Sequence, residues 1–142
     1  MAAGVPRFEI TCRMKRRNIT ELVIGALYAT GAVFQAFDTL RKSDEFYRAM
    51  AEQAWLRPAE LFIERALVPN SFAVTVLVVI FQAGLAIAIF SRGAAVRPAL
   101  VAGGVFSVVG ALTGGPAETV GYAILALIHF RLASKRAPLS VP

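Results

Sequence analysis

"VTVLVVIFQAGLAIAIFSRG", residues 74–93, decides the fold class. From Phe72 to Phe90 nineteen residues pass without a charge, and only Thr75 and Gln82 interrupt the hydrocarbon. Apolar residues fill every face of such a helix, so no rotation leaves a polar side for water. At about 1.5 Å rise per residue the run crosses the ~30 Å hydrocarbon core of a bilayer. An amide near the middle of it then needs an explanation.

The rest of the chain agrees with this reading. Of 142 residues, 57% are hydrophobic and 17% charged, and the mean hydropathy is +0.63. A small soluble chain has too much surface for its volume to bury so much apolar material. Lipid as solvent removes that difficulty. The apolar runs predict spans at about residues 19–38, 71–91, 97–114 and 117–133. The third is rich in glycine and uncharged from Ala99 to Leu112; the fourth is short and begins beside Glu118. The first has an apolar core of about 18 residues, longer than a cleavable leader's roughly 7–15, and no small-x-small cleavage site follows it. It reads as a retained helix. The expected fold class is all-α: an integral membrane four-helix bundle with short amphipathic helices in its first extracytoplasmic loop.

Charge supplies the orientation. Arg7, Arg13, Lys15, Arg16 and Arg17 crowd the N-terminal tail, 1–17; Arg92 and Arg97 lie between the second and third spans; Arg131, Lys135 and Arg136 mark the C-terminal end. These ten of fifteen basic residues fall on one side. The long connection after the first span balances five basic residues (Arg41, Lys42, Arg48, Arg57, Arg65) with five acids. By the positive-inside rule both tails, 1–17 and 134–142, are cytoplasmic and the long connection is outside. The net charge of +6 thus has a topological explanation, and no basic stripe with aromatic support points to nucleic acid. Met14 reads as a natural start, with residues 1–13 as an extension. Asn18 and Glu21 suit the N-terminus of the first helix. Cys12 stands alone, which gives no internal disulfide and no Cys-x-x-Cys chemistry.

The outer connection is patterned. Ser43 suits an N-cap, with Asp44 and Glu45 in the first turn and Phe46, Met50 and Ala54 on one face, which predicts a helix over 43–56. Pro58 opens a second helix over 58–68, stopped by Pro69. These helices lie either on the membrane interface with their aromatics at the acyl boundary, or as a cap over the bundle. Small residues recur four apart at Gly25/Ala29, Gly84/Ala88, Gly103/Ser107 and Gly110/Gly114, a spacing that lets membrane helices approach closely.

Depth assigns the polar residues. Counting rises places Gln82, Tyr28 and Ser107 near the bilayer midplane, about 13–15 Å deep. A buried amide in hydrocarbon needs partners, so Gln82 is expected to face inward and to bond Tyr28 or Ser107. It acts either as interhelical glue or as a polar spot for a head group or quinone-like ring. Glu21 and His129 lie toward the cytoplasmic ends, Asp38 and Glu118 toward the outer ends. Glu21 is expected to pair with Arg97 at the opening of the third span. His129, the only histidine, reads as a packed residue at the interface beside Arg131, and by itself supports neither bis-His haem nor a His-based metal cluster.

"GALYATGAVFQAFDTL" (25–40) and "VVIFQAGLAIAIFSRGAAVRPALV" (78–101), with the long patterned loop between them, resemble the DoxX / DoxX-like family of small bacterial membrane proteins. The resemblance covers about residues 19–130, most specifically Gly84 to Phe90 followed by Gly93 and Arg97. Where many members carry an acid near the position of Gln82, this chain has an amide. The resemblance implies a subunit of a bacterial cell membrane linked to redox or oxidative-stress partners, or to quinone-dependent oxidation. The expected function is a non-catalytic membrane subunit that docks other membrane or peripheral proteins, in contact with membrane lipids. The alternatives are a quinone-linked oxidoreductase subunit and a small lipid or solute transporter, with a quinone or lipid as the possible ligand near Tyr28, Gln82 and Ser107.

Overall fold

Helix is the only regular structure among the described residues, which in this computed structural model are 19–91 and 93–136. The Asn18 cap, Cys12, the basic stretch 7–17 and Arg92 lie outside them. In chain order the helices are α1 (Ile19–Phe37), α2 (Ser43–Gln53), α3 (Arg57–Phe62), α4 (Ser71–Phe90), α5 (Val96–Thr113) and α6 (Pro116–Ser134). Three helical stretches are long and apolar enough to cross a membrane: α1, the 34-residue stretch Arg57–Phe90 that ends in α4, and α5. α6 has the same 19 residues as α1 but carries Glu118, His129 and Arg131, and it is not among the three.

The four long helices pack as neighbours in sequence, α1 on α4 and α5 on α6, and α4 with α5 joins the pairs. Ile24 and Tyr28 of α1, Leu85, Ala86 and Ile89 of α4, Val96, Ala99 and Leu100 of α5, and Leu132 and Ala133 of α6 form one core. Glycines set the approach of the helices. A Cβ on Gly25 would stand 2.9 Å from the Phe90 ring, one on Gly104 2.8 Å from the Phe130 ring, and one on Gly110 3.0 Å from the Tyr122 ring. Gly84 departs from the small-residue pattern: it is exposed and nothing stands within 4 Å of its Cβ position, because α4 turns Leu85, Ala86 and Ile89 inward instead. Outside this core the surface is hydrocarbon. Val23, Leu27 and Phe34 of α1, Leu77, Ile80 and Ile87 of α4, Val105 and Leu112 of α5, and Val120, Ile124 and Leu127 of α6 are all exposed.

The connection from α1 to α4 differs from its predicted form in three ways. Ser43 does not cap α2; it is the helix's first residue, buried, and its hydroxyl donates to Ser71 Oγ at 3.3 Å. The buried stripe of α2 is Ser43, Tyr47 and Ala51 rather than Phe46, Met50 and Ala54, and Phe46 is exposed. Pro69 does not end a helix. After α3 the chain widens into a π turn (Ile63–Leu67), tightens to a 3₁₀ turn (Val68–Asn70) and enters α4. The proline removes one donor from the ladder, and the Asn70 side-chain amide donates to the Ala66 carbonyl at 3.0 Å, close to the break. Tyr47, Ala51 and the fully buried Ile63 form a second, smaller core with Leu67, Val68 and Val74. Burying such an isoleucine contributes about 1.5–3 kcal/mol. α2 therefore sits as a cap on the N-terminal end of α4, while Phe46, Trp55 and Phe62 keep more than a third of their surface exposed. The cap also reaches the α5–α6 turn, where a Cβ on Gly115 would be 3.4 Å from the Gln53 carbonyl oxygen.

A candidate functional site among the buried polar residues

The α1–α6 contact builds the site. Tyr28 and His129 are both buried, and Tyr28 Oη stands 3.0 Å from His129 Nε2. The other ring nitrogen, Nδ1, is 2.7 Å from the Leu125 carbonyl oxygen. A carbonyl only accepts, so Nδ1 carries the proton, and in the neutral ring Nε2 accepts from the Tyr28 hydroxyl. The two rings meet edge-on, with centroids 5.5 Å apart. α5 closes the third side. A Cβ on Gly103 would lie 2.6 Å from Tyr28 Oη and 2.7 Å from His129 Nε2, so only glycine admits this bond. Ser107, one turn on, is fully buried; its hydroxyl donates to the Gly103 carbonyl at 2.8 Å and lies against the Tyr28 phenol. The Gly103/Ser107 pair thus makes room for a polar contact as well as a helix approach.

Gln82 belongs to the same interior but not to this network. It is buried at 7% exposure, and neither Tyr28 nor Ser107 is its hydrogen-bond partner, contrary to the expectation from depth. Tyr28 turns to His129, a partner the sequence places nearer the cytoplasmic end, and Ser107 turns to its own helix backbone. The Gln82 Oε1 atom has no conventional donor. It faces Gly31 of α1, whose Cβ position is 2.8 Å away.

Glu21 pairs with Arg136 rather than with Arg97. The guanidinium donates through Nε to Oε1 at 2.9 Å and through Nη2 to Oε2 at 2.6 Å, a two-pronged bond with both side chains mostly buried. Arg97, half-buried at the opening of α5, makes no ion pair among the described residues. The contacts of α1 with α6 and with Arg136 just past its end are in register: Glu21 and Tyr28 are seven residues apart, and so are His129 and Arg136. On antiparallel helices a seven-residue step returns to nearly the same face on both partners. That spacing was the available signal for the Tyr28–His129 bond. Asp38 and Glu118 have separate places. Asp38 is exposed in the turn after α1. Glu118, in the first turn of α6, accepts the Gly115 N–H at 3.1 Å, holding the helix start. No group of three or more His, Cys, Asp and Glu side chains suited to a metal occurs among the described residues.

The arrangement can clamp α1 and α6 together through a polar bond that Gly103 of α5 packs against, and it holds one buried acceptor beside Gly31. No protein-family model, no curated protein and no solved structure matches the chain.

Proposed function

We propose that the chain is a four-span protein of the bacterial cell membrane with both termini cytoplasmic, and that it serves as a DoxX-like, non-catalytic subunit docking partner proteins in a redox-linked or oxidative-stress-linked complex. The observation that carries this reading is the use of the interior polar groups. Tyr28 and His129 bond each other and so join α1 to α6, while Ser107 and the second His129 nitrogen are satisfied by the backbone of their own helices. Around them, exposed apolar side chains on all four long helices, α6 included, suit a lipid surround. The outer cap offers the docking face, where Phe46, Trp55 and Phe62 stand exposed on a packed base. Aromatic anchors of this kind carry much of the energy of protein interfaces. Purification of the tagged chain in mild detergent should bring down a defined set of proteins, and Trp55→Ala with Phe62→Ala should release them without loss of helix content. A chain that purifies alone, or keeps its companions in that variant, would defeat the docking reading. A second reading, a subunit that holds a quinone or lipid, is favoured by the unpaired Gln82 Oε1. It requires extracted protein to carry a stoichiometric quinone or lipid that Gln82→Leu loses.

A further inference from the structure

Where α1 begins and α6 ends, Thr20, Ile128, Arg131, Leu132 and Lys135 line a cleft of about 260 Å³. Its walls are chemically divided. Leu132 is buried and Ile128 half-buried, while Arg131 and Lys135, one helical turn apart, are exposed. A carboxylate does stand at this end of α1, that of Glu21, but Arg136 takes both of its oxygens. Among the described residues neither Arg131 nor Lys135 has an acidic partner. Two cations with no acidic partner among the described residues therefore line a cleft with an apolar floor, at the level where hydrocarbon gives way to head groups if the chain spans the membrane.

We propose that this cleft holds an anionic phospholipid, its phosphate on Arg131 and Lys135 and the start of an acyl chain along Ile128 and Leu132. The proposal rests on the membrane reading above. Guanidinium and ammonium groups suit a phosphate together, the first as a planar fork and the second as a point charge. Neither the cations nor the apolar floor alone would select a lipid; a free anion gains nothing from Ile128 and Leu132, and a neutral lipid gains little from Arg131 and Lys135. Each cation near an anionic head group strengthens binding roughly fivefold, and the pair roughly 30-fold.

The test uses the full chain in mild detergent, melted with added phosphatidylglycerol, phosphatidylcholine or inorganic phosphate. Phosphatidylglycerol should raise the Tm, and the other two should not. Arg131→Gln with Lys135→Gln should weaken the phosphatidylglycerol response roughly 30-fold in concentration. Arg131→Lys should retain most of it, and Arg41→Gln with Lys42→Gln, which removes equal charge from the other end, should retain all of it. The proposal is overturned if phosphatidylcholine or inorganic phosphate stabilises equally well, or if the Arg131/Lys135 variant responds like the parent. Release of the parent chain from membranes by a carbonate wash is a separate result, which would overturn the membrane reading itself.

Discussion

At the scale of single residues the interior depends on which atoms glycine leaves uncovered. Tyr28→Phe removes the donor facing His129 Nε2 and leaves a buried acceptor unpaired, which costs about 1–3 kcal/mol. His129→Leu should cost a similar amount, and the two together less than their sum, because each single change already breaks the same bond. Melting in mild detergent measures this; additive losses would mean that the bond contributes nothing. Gly31→Ala puts a methyl 2.8 Å from Gln82 Oε1, and overpacking of this kind costs about 1–3 kcal/mol. Gln82→Ala in the same chain should restore most of that loss, whereas an unrelieved loss would place the clash elsewhere. The inward position of Gln82 was legible from its depth, since lipid offers an amide no partner. Its neighbour was not, because depth fixes how far along a helix a residue lies and says nothing of the helix's rotation. The same gap explains Glu21. Several cations share its level, and the seven-residue register between α1 and α6 selects Arg136.

At the scale of elements, the long helices were legible to within a residue or two, because uninterrupted apolar runs mark their ends sharply. The short helices between α1 and α4 were less so. α2 carries two stripes that could be buried, Phe46–Met50 and Tyr47–Ala51, and only the position of α4 decides between them. The choice of Tyr47 has a pH consequence. Burial pushes its phenol above the ordinary 10.0, while a hydrogen bond with Thr75 pulls the other way. The folded state thus favours the neutral phenol; the stabilisation is complete below the unfolded value and is lost as pH rises through the higher folded one. Tyr47→Phe should therefore flatten the fall in Tm above about pH 10; an unchanged fall would assign alkaline unfolding to other groups. The α1–α6 clamp makes a different forecast. Glu21→Gln should cost roughly 1 kcal/mol or more, since the pair is two-pronged and mostly shielded from solvent. Glu21→Arg with Arg136→Glu should recover stability that Glu21→Arg alone loses, as judged by Tm.

At the scale of the whole molecule, the asymmetry of basic residues makes the clearest forecast. Reporters fused after residue 136 should read cytoplasm, and reporters inserted near residue 50 should read outside; the opposite pattern would invert the topology. α6 is the element on which the span count turns, because Glu118 and Arg131 sit near its two ends and shorten its uncharged middle. One more property follows from the unbroken helical path Arg57–Phe90. No loop separates α3 from α4, and the π turn over Ile63–Leu67 is the one widened stretch between them. Phe62 lies on that path, so a load on it would reach α4 through helix rather than through slack chain. Farther along α4, Gln82 and Phe90 stand against Gly31 and Gly25 of α1, where an added Cβ would come within 2.8–2.9 Å of them. Pressure on the cap would thus be felt as shear between α1 and α4 at the end of α4 remote from it.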